Sequence, residues 1–476
     1  MTERKPRNRG DKKRGRFAGG KSRKRGRPVK TRDDNFRTVR KPRPRKIGEP
    51  MEALEMEGIF DSLIPEIQHA LKKEGYATPT PVQAQAIPPQ VDGRDLCGSA
   101  QTGTGKTAAF TIPLLQELAA EKSSPEGRRP RALILAPTRE LAAQIGDSIT
   151  AYGRFLQVAH TVIFGGVGQN PQEKAMNRGV DIVVATPGRL LDLMGQGFVK
   201  LDSVKTFILD EADRMLDMGF IHDVERIIAK LPRERRTGFF SATLPPAVQA
   251  LAKRLLLDPA RVTINPEQPT VEKICQRLLY VDRDQKDDLL VALLREPEVG
   301  RAIVFTQMKY KANRVCERLE RAGISAAPIH GNKTQAARTR ALEQFREGRV
   351  KVLVATDIAA RGIDVDGITD VFNYDLPTEA ETYVHRIGRT ARAGSEGQAW
   401  TFCSKEEASQ LLDIERLIKK TIPDDVEHDL HSERAFKSVR SPKKQQRRES
   451  RNGTGKKKPA KRFAKRRPRR AARFAR

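Results

Sequence analysis

The chain has 476 residues, of which 38% are hydrophobic and 32% charged, with a net charge of +30; that length exceeds one ordinary core and suits two domains plus tails. No apolar run approaches the roughly 20 residues that span a bilayer and no signal-peptide h-region opens the chain, so a membrane protein is not expected. Four scattered cysteines, Cys97, Cys275, Cys316 and Cys403, form no CxxC pair, which argues against zinc or a disulfide framework and for a reducing, cytoplasmic setting.

In chain order, residues 1–50 carry a net +16 and residues 433–476 a net +18, leaving −4 for residues 51–432. Both ends lack the apolar side chains that offset chain entropy and read as disordered basic tails. They would bind a polyanion such as nucleic acid, act only as solubility devices, or serve as protein-docking arms.

Between the tails, short apolar runs alternate with helical patterns. In the first half the predicted strands are Leu96–Ala100, Ala132–Ala136, Thr161–Phe164, Asp181–Ala185, Thr206–Asp210 and Gly238–Ser241; in the second they are Arg277–Val281, Ala302–Thr306, Val350–Ala355, Thr369–Tyr374 and Gln398–Cys403. This alternation predicts an α/β fold with parallel sheets covered on both faces. The tetrapeptide Val183-Val184-Ala185-Thr186 is echoed by Leu353-Val354-Ala355-Thr356, which suggests two related domains, 51–265 and 271–425. The break falls at Asn265-Pro266-Glu267-Gln268-Pro269. Ligands should gather at the carboxyl ends of the strands.

Ala100-Gln101-Thr102-Gly103-Thr104-Gly105-Lys106-Thr107 follows a predicted strand and opens a helical run, the context of a P-loop with Ala in place of the first Gly. Gly103 and Gly105 let backbone N–H groups close on phosphates at a helix N-terminus. Lys106 would reach the outer phosphates, the Thr107 hydroxyl suits Mg²⁺, and Gln101, Thr102 and Thr104 complete the cradle. Farther on, Asp210-Glu211-Ala212-Asp213 ends an apolar strand in acids. Asp210 is placed to hold Mg²⁺ through water and Glu211 to position and deprotonate an attacking water.

With Asp210-Glu211-Ala212-Asp213, the chain resembles the DEAD-box RNA helicases, and the rest of that family's motifs follow in order across roughly residues 58–420. Phe60, Gly75-Tyr76, Thr80-Pro81 and Gln83 are similar to the Q motif; Pro137-Thr138-Arg139-Glu140-Leu141, Gly165-Gly166 and Thr186-Pro187-Gly188-Arg189 to the first domain's RNA motifs; Ser241-Ala242-Thr243 to motif III. The second half brings Val304-Phe305-Thr306, Gln335 with Arg338, Ala355-Thr356-Asp357 with Arg361-Gly362-Ile363-Asp364, and His385-Arg386-Ile387-Gly388-Arg389-Thr390-Ala391-Arg392. The stretches Met215–Phe220 and His330–Lys333 look most like the bacterial RhlE-like branch.

The resemblance implies two RecA-like domains, ATP and Mg²⁺ as cofactors, and RNA as a partner bound without sequence choice. Gln83 would pair with the adenine edge through its amide donor and acceptor, and Tyr76 would stack on the ring. Arg386 and Arg389, three apart and expected on one helical turn, resemble arginine fingers for the γ-phosphate, and Asp364 resembles the second domain's nucleotide contact. RNA contacts fall to Pro137, Thr138, Arg139, Gly165, Gly166, Thr186, Pro187, Gly188 and Arg189, then Thr306, Arg338, Thr356 and Arg361. Asp213, Ser241 and Thr243 would couple hydrolysis to domain closure.

On this reading hydrolysis requires closure, which separates a few base pairs locally without translocation, on ribosomal particles or with RNA-decay factors. Two other readings stay open at this point. The tails could anneal RNA while ATP merely gates a clamp, or the fold could serve a DNA helicase, against which the Q motif and Asp213 argue.

Overall fold

The computed structural model describes residues 51–101, 103–121, 127–264, 274–360, 367–391 and 396–440. The tails before 51 and after 440, the break at 265–273, and the site candidates Thr102, Arg361 and Asp364 lie outside these residues.

The apolar runs form two seven-stranded sheets in which every strand pairing is parallel. The first contains β1 (Leu96–Ser99), β2 (Ala132–Leu135), β3 (His160–Ile163), β4 (Ile182–Ala185), β5 (Thr206–Leu209), β6 (Arg236–Ser241) and β7 (Ala260–Thr263) in the order β3-β4-β2-β5-β6-β1-β7. The second contains β8 (Ile274–Tyr280), β9 (Ala302–Phe305), β10 (Ala326–Ile329), β11 (Val352–Ala355), β12 (Asp370–Asn373), β13 (Gly397–Cys403) and β14 (Asp424–Asp425) in the order β10-β11-β9-β12-β13-β8-β14. Each sheet thus repeats the other's strand order, and the echoed tetrapeptides begin on β4 and β11, the equivalent strands.

Continuous apolar strands fit because both faces are buried. In β2, Leu133 and Leu135 face one core while Ala132 and Ile134 face the other; in β9, Ala302 and Val304 divide likewise from Ile303 and Phe305. Three strands escaped the sequence reading. β7 and β14 are polar edge strands, and β10 carries Pro328, which an edge strand tolerates because one row of its N–H groups needs no ladder partner.

The boundary at 433 needs correction. Glu433–Arg440 is a helix docked on the second lobe, with Ala435 and Val439 buried one turn apart. Phe436 meets the Tyr280 ring edge-on at 5.2 Å, and Arg440 pairs with Glu415 (2.7 Å) and Asp424 (2.9 Å). Its basic composition hid a narrow apolar stripe.

Candidate functional site

The sheet order sorts the motifs. β5, β6 and β1 are adjacent, so the acids after β5, Ser241 at the end of β6 and the P-loop after β1 emerge side by side. β3, β4 and β2 are the other neighbours, and Gly165-Gly166, Thr186–Arg189 and Pro137–Leu141 leave their carboxyl ends.

In the P-loop, Gly103 and Gly105 adopt φ of 87° and 96°, the left-handed region that glycine enters without a Cβ clash. A Cβ on Gly105 would also collide with the Gln83 amide and the Thr80 hydroxyl. Lys106 begins the helix Lys106–Ala120 and is buried, its ammonium donating to the Ala100 carbonyl across the loop. Thr104 hydroxyl donates to the Gln101 carbonyl (2.8 Å), which closes the turn, and half-buried Thr107 is the next helical residue. Gln83 is fully buried: its amide oxygen accepts from Thr80 N–H (2.9 Å) and its NH₂ donates to the Gly105 carbonyl (3.3 Å). It therefore braces the P-loop as well as keeping one N–H and one lone pair for a base edge. Tyr76 is half-buried, packed edge-on against Phe60 and Tyr152 and sharing a 2.8 Å hydroxyl contact with Tyr152.

Asp210 is 2% exposed. Burial pushes its carboxyl up to about 7; the Lys106 charge pulls it down and Glu211 pushes it up again. Among the described residues no three His, Cys, Asp or Glu side chains converge as a metal cage. One buried carboxylate facing a phosphate cradle suits Mg²⁺, which keeps most of its waters and takes one or two protein oxygens. Glu211 sits at φ 50° between β5 and the helix Ala212–Asp217, a strained setting for a side-chain-bearing residue. Its carboxylate is fixed by Arg214 (3.2 Å), both side chains being buried. Asp213 accepts from the Thr243 N–H and hydroxyl, each at 2.8 Å, while Ser241 hydroxyl accepts from Asp213 N–H (3.2 Å) and donates to the Thr243 carbonyl (2.7 Å). The acidic motif and the β6 end are thus one hydrogen-bonded unit.

The two arginines after Val384 do not share a helical face. The helix Ala380–Ile387 ends between them with Gly388 as its C-cap, so the three-residue spacing loses its geometric meaning. Arg386 is fully buried and bound bidentately by Asp357 (2.5 and 2.8 Å), with further bonds to Asn373 and the Asp375 carbonyl. These bonds brace the second lobe and engage the whole guanidinium. Arg389 lies past the helix, its Nε donating to the His385 carbonyl (3.2 Å). Arg386 and Arg389 line a cleft with Asp357, His385 and Arg214 of the first lobe.

Among the residues assigned to RNA, Arg139 packs its guanidinium over Gly166, whose φ of 80° and bare Cα make room for it, with Gly165 alongside. Thr138 caps the helix Arg139–Tyr152 by accepting from Leu141 N–H (3.3 Å), Pro137 is buried, and Thr186 and Pro187 open the helix Pro187–Gly195. Gly188 is exposed with open space around it, while Arg189 leans 3.6 Å from Asp192. Thr356 is half-buried and its N–H bonds to the Ile329 carbonyl (3.2 Å). Thr306 is buried, with its hydroxyl on the Met308 carbonyl.

Arg338 is engaged within the protein. It is buried and pairs with Glu140 (3.0 Å) of the first lobe, which also accepts from Gln335 (3.0 Å). Glu140, Arg214 and Asp357, each inside or next to a motif, are partners of candidate site residues that spacing alone does not reveal. Glu140→Gln should weaken RNA coupling about tenfold, because a charge-assisted bond contributes roughly 1.5–3 kcal/mol. Titrating RNA against ATP turnover reads this, and Glu140→Gln combined with Arg338→Gln should lose no more than either change alone. Fully additive losses would sink the pairing.

Two family descriptions match the chain: "DEAD/DEAH box helicase" over residues 80–251 and "Helicase conserved C-terminal domain" over residues 285–394. A DEAD-box ATP-dependent RNA helicase CshA of Bacillus subtilis is 43% identical over 361 residues, covering 75% of this chain and 72% of that protein. The Geobacillus kaustophilus CshA is 42% identical, covering 75% of each chain. Among solved structures, Saccharomyces cerevisiae Dbp5 bound to RNA and ADP BeF3 superposes with a TM-score of 0.66 at 33% identity, over 77% of this chain and 94% of that one. Mss116p bound to single-stranded RNA and AMP-PNP gives 0.70 at 28% identity, over 82% of each.

Proposed function

The chain belongs to the DEAD-box family of RNA helicases, and from that premise we propose that it hydrolyses ATP when RNA draws its two RecA-like lobes, 51–265 and 271–425 with the docked helix Glu433–Arg440, onto one nucleotide. The observation that carries this is the adjacency of β5, β6 and β1, which sets Lys106, Asp210, Glu211 and the Asp213–Ser241–Thr243 unit on one edge. Mg²⁺ bound there would neutralise phosphate charge, held by Asp210 through water and by Thr107. Lys106 and the loop amides bind the phosphates, Glu211 orients the attacking water, and Arg389 meets developing charge from across the cleft. Gln83 and Tyr76 select adenine. On the RNA side, Arg139, Gly166, Thr186, Gly188, Arg189, Thr306 and Thr356 hold sugar and phosphate without reading bases, while Arg338 acts through Glu140.

The output on this reading is local, non-processive separation of short duplexes in the cytoplasm, on ribosomal particles or beside decay factors. Met215–Phe220 and His330–Lys333 support an RhlE-like place within the family. The deciding experiment measures ATP turnover with RNA, with DNA and with neither, alongside separation of a short RNA duplex. RNA-specific stimulation and ATP-dependent separation support the proposal; equal stimulation by DNA, or none, overturns it.

Residues 1–50 and 441–476 each carry a net +16. Deleting both should weaken RNA binding at low salt at least about tenfold and flatten the salt dependence, by about 0.7 in log–log slope for each phosphate no longer neutralised. Unchanged binding isotherms across a salt series would make the tails solubility devices.

A further inference from the structure

Six large apolar side chains are exposed among the described residues, and only one of them, Tyr310, is aromatic. Tyr310 is 62% exposed and Met308, two positions earlier, is 50% exposed. Both stand where the helix Lys309–Arg321 leaves the carboxyl end of β9, with Met308 as its N-cap residue. β10, β11 and β9 are neighbours, so Tyr310 shares one edge with the His330–Lys333 turn after β10 and Thr356 after β11. In parallel α/β sheets this edge is where ligands bind.

The surroundings are cationic. Lys309 donates to the Asn332 amide oxygen (2.9 Å), joining the helix start to the turn, and neither Lys309 nor Lys333 makes an ion pair with the described residues. His330, 2% exposed, holds Asn313 through Nε2 (3.0 Å), while its buried Nδ1 has no partner among the described residues. Its pKa is lowered first by burial and then by Lys333, Lys309 and Arg338, so the field over the turn is positive. Nearby Lys311 and Arg314 are already paired, to Asp375 and Asp287.

An exposed ring between Lys309 and Lys311 in sequence, at the carboxyl edge of a parallel sheet, is unsuited to a core role and matches the way single strands are held, by charge along the backbone and stacking under a base. We propose that Tyr310, flanked by Met308 and Lys309, is a stacking platform for one unpaired base of the RNA strand that runs along the carboxyl edge of the second sheet. The inference rests on the RNA reading above and adds to it. A single ring contributes stacking without base choice.

The test uses the full chain with a non-hydrolysable ATP analogue and a short single-stranded RNA bearing an abasic nucleotide at each position in turn. Tyr310→Ala should weaken binding about five- to thirtyfold, Tyr310→Phe should retain it, and one abasic position should cost the wild type the same factor while costing Tyr310→Ala nothing further. The melting temperature of both variants should match the wild type, since the side chain is exposed. If Tyr310→Ala binds RNA like the wild type, the surface belongs to a protein contact and the inference falls; it falls equally if every abasic penalty persists in the variant. RNA-stimulated ATP turnover of the wild type, run in parallel, separates this from failure of the broader reading: stimulation without a Tyr310 effect overturns the stacking platform alone.

Discussion

Arg389→Ala is expected to lower RNA-stimulated ATP turnover by about a thousandfold or more, within the range of roughly 10³–10⁵ that an arginine finger contributes to phosphoryl transfer. The expectation falls on Arg389 and not on Arg386 because their environments differ. Arg386 is engaged by Asp357, Asn373 and the Asp375 carbonyl, with its guanidinium over the Phe305 ring at 5.0 Å. Reaching a phosphate would break a buried bidentate pair. Arg389 lies past the helix end and lines the cleft that Arg214 enters from the first lobe. It is remote in sequence from the P-loop and stands on the other lobe. The loss should appear in kcat, with the ATP KM changing much less, because the contact forms as charge develops. Arg389→Lys should recover little, since an ammonium cannot reproduce the planar fork. Arg386→Ala should instead show in thermal melting, because removing one partner of a buried pair costs about 3–5 kcal/mol. If Arg386→Ala leaves melting unchanged while abolishing turnover, the two roles have been assigned the wrong way round.

Glu211→Gln should reduce turnover by about 10²–10⁴, the usual contribution of a positioned general base, while ATP and RNA still bind and the complex stays closed. The amide keeps the size of the carboxylate and can still accept from Arg214, so the change isolates the loss of basicity. Two features hold Glu211 in place. The backbone turns left-handed at φ 50° just after β5, and Arg214 fixes the carboxylate in a buried pair. Arg214→Ala should then give an intermediate loss, because it frees the base without removing it. Single-turnover hydrolysis with RNA present, and retention of labelled RNA on the Glu211→Gln protein, measure the two halves. Turnover within tenfold of wild type would remove Glu211 from the chemistry.

Most of the local structure was legible in the order of residues. Gly103 and Gly105 stand in the left-handed conformations that a P-loop requires, and the acids of Asp210–Asp213 lie at the exit of an apolar strand, because strand, turn and helix starts are written in short-range pattern. The echo between Val183–Thr186 and Leu353–Thr356 announced a repeated domain, and the repeat extends to an identical strand order. Which side chains meet emerged only in the folded chain. Glu140 finds Gln335 and Arg338 across 195 residues or more of chain, Arg386 folds back onto Asp357, and Arg214 takes Glu211. None of these follows from spacing, because an ion pair depends on how helices end and how sheets order their strands. Arg386 and Arg389 would be equivalent on a continuous helix; the C-cap at Gly388 separates them. The helix Glu433–Arg440 was likewise invisible in a basic run, since its two buried residues, Ala435 and Val439, acquire meaning only against the surface that Tyr280 and Glu415 provide.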